Sequence, residues 1–280
     1  MTVDLHIHST YSDGTETPGQ LVQRAVQKGL KAISITDHDT VEGTVVAMNA
    51  GIMKALEVIP GIEFSCVHKS HHMHVLGYYI DPANQDLLST LNNIQQARID
   101  RNCQIIKRLN GLGIEISMEE VCEKSPIGQT GRPHIAQVLM EKKVIPNIDS
   151  AFTRFLKVGK PAYVARKVLQ VTETINVIRR AGGVAVLAHP GSIDNSLRKI
   201  PAILKELKKA GLQGIEVYYP IHTKRVVKKL KSMADCYDLV VTGGSDYHGS
   251  IRPGTDLAGA NGFYVPDDIP EQLRIAKDSA

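Results

Sequence analysis

Apolar residues in the chain fall into short runs that alternate with longer segments of helical spacing. The first run covers residues 3–8, where successive side chains of a strand would point to opposite faces. Leu5 and Ile7 then share one face, and His6 and His8 share the other. The chain is therefore predicted to open with a strand that presents two neighbouring imidazoles.

The same alternation of strand and helix continues through most of the chain. Thr17 suits the N-cap of a helix, and Pro18 suits its first position. The further predicted elements are strand 32–36, helix 41–55, strands 57–63 and 72–79, helix 172–181, strand 183–188, helix 200–210, strand 214–218, helix 222–235, strand 239–242 and a last short pair near 263–276. This series predicts an α/β fold with a parallel, barrel-like sheet.

Residues 86–165 interrupt this rhythm. A long helix is predicted over 86–110, with shorter helices near 118–123, 133–141 and 149–156. We therefore predict a helical insertion at 86–165 that lies over the mouth of a barrel formed by 1–85 and 166–280. A separate helical domain on a linker is the less favoured alternative, because barrel-type strands resume after the segment.

Six predicted strands carry or end in side chains that bind metal ions. These side chains are His6 and His8, Asp37-His38-Asp39, Glu63, His74, His189, and Asp246 with His248. A turn at Gly14 would bring the Asp13 carboxylate to the same edge. Any one of these histidines, taken alone, would be an ordinary core or surface residue about as often as a metal ligand. Their repetition at strand ends, where α/β barrels gather catalytic groups, predicts a centre for Zn²⁺, Mn²⁺ or Fe²⁺.

Composition agrees with a globular protein of one large domain, or one domain with an insert. The 280 residues are 42% hydrophobic and 22% charged, and the net charge is a mild +4. The four cysteines form no Cys-x-x-Cys pair, and no apolar run approaches a membrane span or a signal segment, so we expect a cytoplasmic protein. Basic segments at 205–209 and 224–231 have helical spacing, which favours solvated helix faces over a surface for polyanions.

The motifs taken together resemble the PHP (polymerase and histidinol phosphatase) family. The matching segments are Asp4 to Ser9 with Ser12-Asp13-Gly14, Thr36 to Asp39, Gly61 to Glu63, His74, Ala188-His189-Pro190 and Gly244 to His248. Within the family, the insertion resembles that of small stand-alone phosphoesterases. These include enzymes that dephosphorylate nucleoside 3′,5′-bisphosphates or trim short oligonucleotides from the 5′ end. The DNA polymerase branch would need a far longer chain, and histidinol phosphatases lack this insertion pattern.

The resemblance implies a distorted (β/α)7-type barrel whose mouth holds two to three divalent ions, with manganese expected and iron or zinc as alternatives. The implied ligand sets are His6, His8, Glu63 and Asp246 for one ion, Asp13, His38 and His248 for a second, and Glu63, His74 and His189 for a third. Glu63 would therefore bridge two ions. Asp37 and Asp39 are better suited to orienting imidazoles than to binding metal.

A phosphate substrate also calls for cationic groups with several hydrogen-bond donors. The candidates for substrate binding all lie in the insertion and are Arg98, Arg101, Arg132, His134 and Lys160. Arg132 follows Gly131 at a predicted helix start, where guanidinium and backbone amides can meet an anion. Simple surface exposure is the alternative for all five residues, and it is favoured for Arg101 and rejected for Arg132. Tyr163, Tyr218 and Tyr219 are candidates for stacking on a base.

The sequence thus predicts a metal-dependent phosphoesterase. Its expected substrate is a small phosphorylated molecule, foremost the 3′-phosphate of nucleoside 3′,5′-bisphosphates, together with short 5′-phosphorylated oligonucleotides. One alternative is a phosphomonoesterase for a small metabolite such as histidinol phosphate. The other is a nucleic-acid-binding or regulatory module with a structural metal centre, which would be expected to lack some of the ligands. No membrane association and no obligate protein partner are predicted, and the general acid stays unassigned.

Overall fold

Short strands of mostly buried residues form two sheets in the computed structural model, which describes residues 2–125, 128–165, 167–252, 254–259 and 264–279. The three-stranded sheet has the order β1 (Asp4–Ile7), β2 (Ala32–Ile35) and β3 (Glu57–Val58). The six-stranded sheet has the order β6 (Leu169–Gln170), β4 (Gly61–His68), β5 (His71–Tyr78), β7 (Val184–Leu187), β8 (Gly214–Tyr218) and β9 (Val240–Gly243).

Helices alternate with these strands as the apolar spacing predicted. They are α1 (Pro18–Gln27), α2 (Glu42–Met53), α3 (Gln85–Gly111), α4 (Met118–Cys122), α5 (Arg132–Glu141), α6 (Ile148–Ala151), α7 (Val171–Arg180), α8 (Pro190–Ile193), α9 (Ile200–Lys209), α10 (Lys224–Cys236) and α11 (Ile269–Asp278). Thr17 caps α1 through a capping box with Gln20, as its place before Pro18 predicted. Within the described ranges, no helix combines the length and the apolarity that a membrane crossing requires.

The α/β class is confirmed, but the expectation of an all-parallel sheet is wrong for β5. This strand runs antiparallel to both β4 and β7, whereas the other strand pairs are parallel. Only Lys69 and Ser70 separate β4 from β5, which leaves no room for the crossover that parallel strands need. Isolated bridges at Ile7–Tyr247 and His38–Glu63 link the two sheets, and the described residues form no closed barrel.

Two further predictions at element level need correction. The predicted strand 57–63 is split into β3 and β4 at Pro60, which has no amide hydrogen for a strand ladder, so Glu63 lies inside β4. The last predicted pair near 263–276 contains one described helix, α11, while residues 260–263 lie outside the described ranges.

The chain divides into two compact units. The first unit is Met1–Thr90 with Leu169–Ala280, and it contains both sheets. The second unit is Leu91–Val168, a helical segment with an apolar core of its own around Ile105, Leu109 and Leu139. Its last predicted helix ends as a π-helical turn over Phe152–Leu156. The predicted role of residues 86–165 as a cap stays a prediction.

Candidate metal centre

The buried carboxylate of Glu63 lies at the centre of a ring of imidazoles in the first unit. Its side chain is 1% exposed, and β4 holds it among residues from four other segments of the chain. Its Oε1 lies 2.8 Å from His74 Nδ1, 3.1 Å from His189 Nε2 and 3.4 Å from His6 Nε2, and its Oε2 lies 3.1 Å from His38 Nδ1 and 3.2 Å from His8 Nε2. One carboxylate therefore faces five ring nitrogens from both of its oxygens.

Two further carboxylates extend the cluster at its edges. Asp246 Oδ1 lies 3.2 Å from His8 Nε2 and 3.5 Å from His6 Nε2. Asp13 Oδ1 lies 3.3 Å from His248 Nε2, and Asp13 Oδ2 lies 3.9 Å from His38 Nε2. All the residues that the sequence predicted as metal ligands thus lie in one connected group.

Within this group, ligand atoms of four overlapping sets lie within 4.8 Å of one another. The sets are His8, Asp13, His38 and His248; His6, Glu63 and His189; His6, His8 and Asp246; and His38, Glu63 and His74. Glu63 is shared by two sets, which is the arrangement that a bridging ligand requires. The sets differ in detail from the three implied by the resemblance, and the assignment of each residue to an ion stays a prediction.

The side chains of this cluster fit divalent metal ions. Five buried ring nitrogens make no hydrogen bond in the described part of the chain, namely His6 Nε2, His8 Nε2, His38 Nδ1, His189 Nδ1 and His248 Nε2. A buried polar atom left without a partner costs about 1–3 kcal/mol. Five such nitrogens in one cluster therefore need an explanation. Imidazole nitrogens and carboxylate oxygens without thiolate are the ligands that Zn²⁺, Mn²⁺ and Fe²⁺ accept. Metal binding would satisfy the four of these nitrogens that face Glu63 or Asp13, namely those of His6, His8, His38 and His248.

A buried glutamate that the sequence analysis missed orients two of the histidines. His6 Nδ1 lies 2.9 Å from Glu216 Oε1, so the ring donates there and turns Nε2 toward Glu63. The other oxygen, Oε2, accepts a 2.7 Å hydrogen bond from the backbone amide of His189. Glu216 is fully buried in β8, and a charged residue in the middle of the apolar run Gly214–Tyr218 was the signal that could have revealed it.

The hydrogen bonds of Asp37 stabilise the turn that carries Asp13. It accepts hydrogen bonds from the Ser9 amide at 2.7 Å and from the Ser9 and Ser12 hydroxyls at 2.5 Å each. The expected turn at Gly14 forms, because a Cβ there would lie 2.2 Å from the His8 carbonyl oxygen and only glycine fits. Asp13 is therefore placed by a rigid loop.

Two other buried aspartates brace backbone next to the ligands. Asp39 accepts a 3.0 Å bond from the Ser65 amide in β4, which braces the strand that carries Glu63. Asp4 accepts bonds from the Ser245 amide and hydroxyl at 2.8 and 2.6 Å, and from the Ala258 amide at 2.6 Å. Burial raises the pKa of Asp4 to about 6 despite these bonds. The sequence analysis gave Asp4 no such role.

In the absence of metal, the close contacts between imidazoles and carboxylates determine which groups of the cluster are protonated. Burial by itself favours the neutral form of Glu63, but the facing imidazoles of His74, His38 and His6 hold its pKa well below the usual range. Burial also opposes a charge on His8, yet the nearby carboxylates of Asp246, Glu63 and Asp13 raise the pKa of this imidazole to about 10. His38 has the opposite outcome, since burial lowers its pKa to about 3. Metal-free, the cluster therefore holds protons as well as negative charge.

The five predicted substrate-binding residues lie in the second unit, and three of them lie close together near the start of α5. A Cβ at Gly131, the N-cap of α5, would be 3.4 Å from Arg98 Nη1. The Arg132 guanidinium donates a 3.2 Å bond to the Leu156 carbonyl and lies 5.5 Å from the Phe152 ring centre. Gly131 N–H donates a 3.0 Å bond to His134 Nδ1, so this amide is already used by the helix cap.

The other members of this set have different surroundings. Arg101 is 7% exposed, and its Nε donates a 2.9 Å bond to the Val164 carbonyl, so the surface interpretation favoured for Arg101 is wrong. His134 is 5% exposed, in keeping with its helix-capping role. Lys160 is exposed. The spacing of apolar residues does not indicate which polar side chains of a helical segment are buried. The sequence therefore could not distinguish the buried Arg101 and His134 from the exposed Lys160.

Comparisons with known proteins agree on one family. The profile of the PHP domain matches residues 4–158. A 3′,5′-nucleoside bisphosphate phosphatase of Chromobacterium violaceum is 31% identical over 258 residues, covering 91% of this chain and 90% of that protein. A phosphoribosyl 1,2-cyclic phosphate 1,2-diphosphodiesterase of Eggerthella lenta is 32% identical over 258 residues, covering 90% and 95%. A 5′-3′ exoribonuclease of Haemophilus influenzae is 30% identical over 257 residues, covering 91% and 93%.

Solved structures give the same result at the level of the fold. A Bifidobacterium adolescentis protein assigned as a metal-dependent phosphoesterase superposes with a TM-score of 0.85 at 30% identity, covering 98% of this chain and 96% of that one. A Chromobacterium violaceum amidohydrolase, solved with bound sulfate and without metal, superposes with a TM-score of 0.83 at 30% identity, covering 99% and 97%.

Proposed function

This chain belongs to the PHP family of metal-dependent phosphoesterases, and from that premise we propose that it hydrolyses the 3′-phosphate of nucleoside 3′,5′-bisphosphates. Short 5′-phosphorylated oligonucleotides are the proposed second substrate class. The observation that carries the proposal is the single cluster of imidazoles and carboxylates around Glu63, in which every predicted ligand position holds a competent donor.

We assign the metal ions of this centre to nine side chains. They are His6, His8, Asp13, His38, Glu63, His74, His189, Asp246 and His248. Two to three ions, with manganese proposed as the native metal, would neutralise phosphate oxygens, lower the pKa of bound water and stabilise both oxygens of an in-line displacement. The protein's own contribution is to hold the donors in fixed tautomers, as Glu216 does for His6.

The substrate's second phosphate is proposed to bind the second unit through Arg132 and Lys160. Arg132 is stacked on Phe152 and anchored by one N–H on Leu156, which fixes the plane of its guanidinium. A fixed guanidinium recognises a phosphate with less loss of side-chain entropy than a flexible one. Arg98 belongs to the same proposed set, whereas Arg101 and His134 support it by shaping the backbone.

The names of the relatives support a nucleotide-type substrate. The phosphatase of Chromobacterium violaceum acts on nucleoside bisphosphates, and the Haemophilus influenzae relative acts on RNA. The Eggerthella lenta relative, a diesterase for a cyclic sugar phosphate, is as similar to this chain as the other two. A cyclic phosphodiester is therefore a third candidate substrate.

A substrate screen with Mn²⁺ present tests the proposal. It compares adenosine 3′,5′-bisphosphate, adenosine 5′-monophosphate, a ribose 1,2-cyclic phosphate ester, a short 5′-phosphorylated RNA and histidinol phosphate. We expect the bisphosphate to have the highest kcat/KM and to lose its 3′-phosphate. A preference of tenfold or more for histidinol phosphate or for the cyclic ester would replace the proposed substrate.

A further inference from the structure

Two donors of the first unit meet on the outer oxygen of Asp246. The inner oxygen, Oδ1, faces His6 and His8, while Oδ2 accepts a 2.8 Å bond from the Tyr219 hydroxyl and a short bond from Arg252 Nη1. Neither donor was among the predicted metal-ligand or phosphate-binding residues, and Tyr219 was considered only for base stacking. The pair extends the polar cluster by one step beyond the imidazoles.

Arg252 retains donors that this contact does not use. A guanidinium has five N–H groups, and the bond to Asp246 occupies one of them. The side chain is 45% exposed, and the described residues give it no other hydrogen bond. Because Asp246 Oδ1 faces His6 and His8, the bond from Arg252 to Oδ2 places the guanidinium at the edge of the centre.

Tyr219 joins this donor pair to the imidazoles. Its ring centre lies 5.4 Å from that of His189. Its hydroxyl has one hydrogen, and the bond to Asp246 Oδ2 uses it. Tyr219 therefore fixes the outer oxygen of Asp246, and Arg252 presents its remaining donors beside the metal centre.

The charge balance indicates what these donors are for. Asp13, Glu63, Asp246 and Glu216 bring four negative charges to the centre, which two divalent ions balance and three exceed. The Arg252 guanidinium adds one more positive charge, and a phosphate dianion supplies the anion that offsets it.

We propose that Arg252 binds the non-bridging oxygens of the phosphate that is hydrolysed, while Tyr219, whose single O–H is used on Asp246, holds that carboxylate in place. The inference rests on the proposed phosphoesterase function and adds to it a protein-borne phosphate site next to the metals. It differs from the role proposed for Arg132, because Arg252 would act on every phosphate ester that enters the centre, with or without a second phosphate.

The test uses Mn²⁺-loaded full-length protein with Arg252→Ala, Arg252→Lys and Tyr219→Phe. Arg274→Ala is the matched control, since Arg274 is 48% exposed, pairs with the carboxylates of Glu57 and Glu271, and lies over the ring of Tyr79. Bound manganese per chain is measured for each variant. The Kd of inorganic phosphate for the metal-loaded protein is then determined by calorimetry, and kcat and KM are determined for p-nitrophenyl phosphate.

Arg252→Ala is expected to keep its manganese and to raise the phosphate Kd by about tenfold or more, as the loss of a charge-assisted contact does. Arg252→Lys should fall between this variant and the wild type, because lysine keeps the charge without the fork of donors. Tyr219→Phe should raise the Kd by less than about threefold, because it removes only a support of Asp246, and the control should match the wild type.

Two results would overturn the inference. One is an unchanged phosphate Kd in Arg252→Ala at full manganese content. The other is loss of manganese with a normal Kd in the remaining loaded chains, which would restrict Arg252 to positioning Asp246. Phosphate affinity is measured without any ester substrate, so failure of the bisphosphate screen would leave this test intact, and a failure here would leave the screen intact.

Discussion

Glu63 is the residue on which the centre depends most, because both of its oxygens face imidazoles. Asp39 is also buried, but its described contact is to the Ser65 amide. In its proposed role as a bridging ligand, Glu63 contributes its charge to two ions, so replacing it removes that charge from both, whereas replacing Asp39 only loosens one segment.

We therefore expect Glu63→Gln to lower kcat/KM by more than about 100-fold and to reduce bound metal, and Asp39→Asn to cost on the order of tenfold. Elemental analysis and steady-state kinetics measure both effects, and thermal unfolding shows whether each variant is folded. Equal losses in the two variants would remove Glu63 from its proposed bridging role.

The protonation of His8 predicts how pH acts on stability and metal binding. Its pKa in the metal-free protein is raised from 6.5 to about 10, so its contribution to stability is complete below pH 6.5 and is lost as pH rises toward 10. Metal ions compete with protons for the same nitrogens, so metal affinity rises over the same interval.

Between pH 6.5 and 8.5, we expect the Tm of the metal-free protein to fall while the increase in Tm caused by Mn²⁺ grows. His8→Gln serves as the control, because glutamine does not titrate and this variant should show a weaker dependence on pH. A metal-free Tm that rises through this interval would contradict the assigned direction of the His8 shift.

At the scale of elements, the positions of the ligands follow from features that a sequence displays. His6 and His8 share a face because β1 is a strand, and Asp13 returns because Gly14 permits the tight turn. The reversed direction of β5 was not predicted, since periodicity does not report strand direction. Glu216 was missed because it contacts ligands that are distant in sequence, and only the folded chain shows such a pairing.

The prediction for the second unit concerns Arg132, the first residue of helix α5. Arg132→Ala should raise KM for a nucleoside bisphosphate strongly, with a loss of about one to two decades in kcat/KM, or on the order of 2–3 kcal/mol. The loss should be much smaller for p-nitrophenyl phosphate, which has a single phosphate.

Arg154→Ala is a matched control for this variant. Arg154 likewise donates to a backbone carbonyl, that of Val144, and lies 5.0 Å from the centre of the Phe155 ring. Both variants should therefore lose similar packing energy, and only Arg132→Ala should discriminate between the substrates. Equal losses on both substrates would move Arg132 to the phosphate that is cleaved, and no loss would exclude it from binding.

At the scale of the whole molecule, the α/β class and the grouping of the ligands were predictable, since strand ends converge in such folds. The helical segment was also recognisable from its spacing, although its division from the rest falls at Leu91 and Val168 rather than at 86 and 165. The roles of Arg101 and His134 were not predictable, because their burial depends on packing inside that unit.

The central claim is that this chain is an enzyme built around more than one metal ion, and metal analysis tests it most directly. Protein purified without chelator is analysed for manganese, iron and zinc, then assayed before and after chelation and after return of Mn²⁺. We expect at least two equivalents per chain, activity abolished by the chelator and restored by Mn²⁺. A metal content near zero with activity unchanged by the chelator would contradict the account.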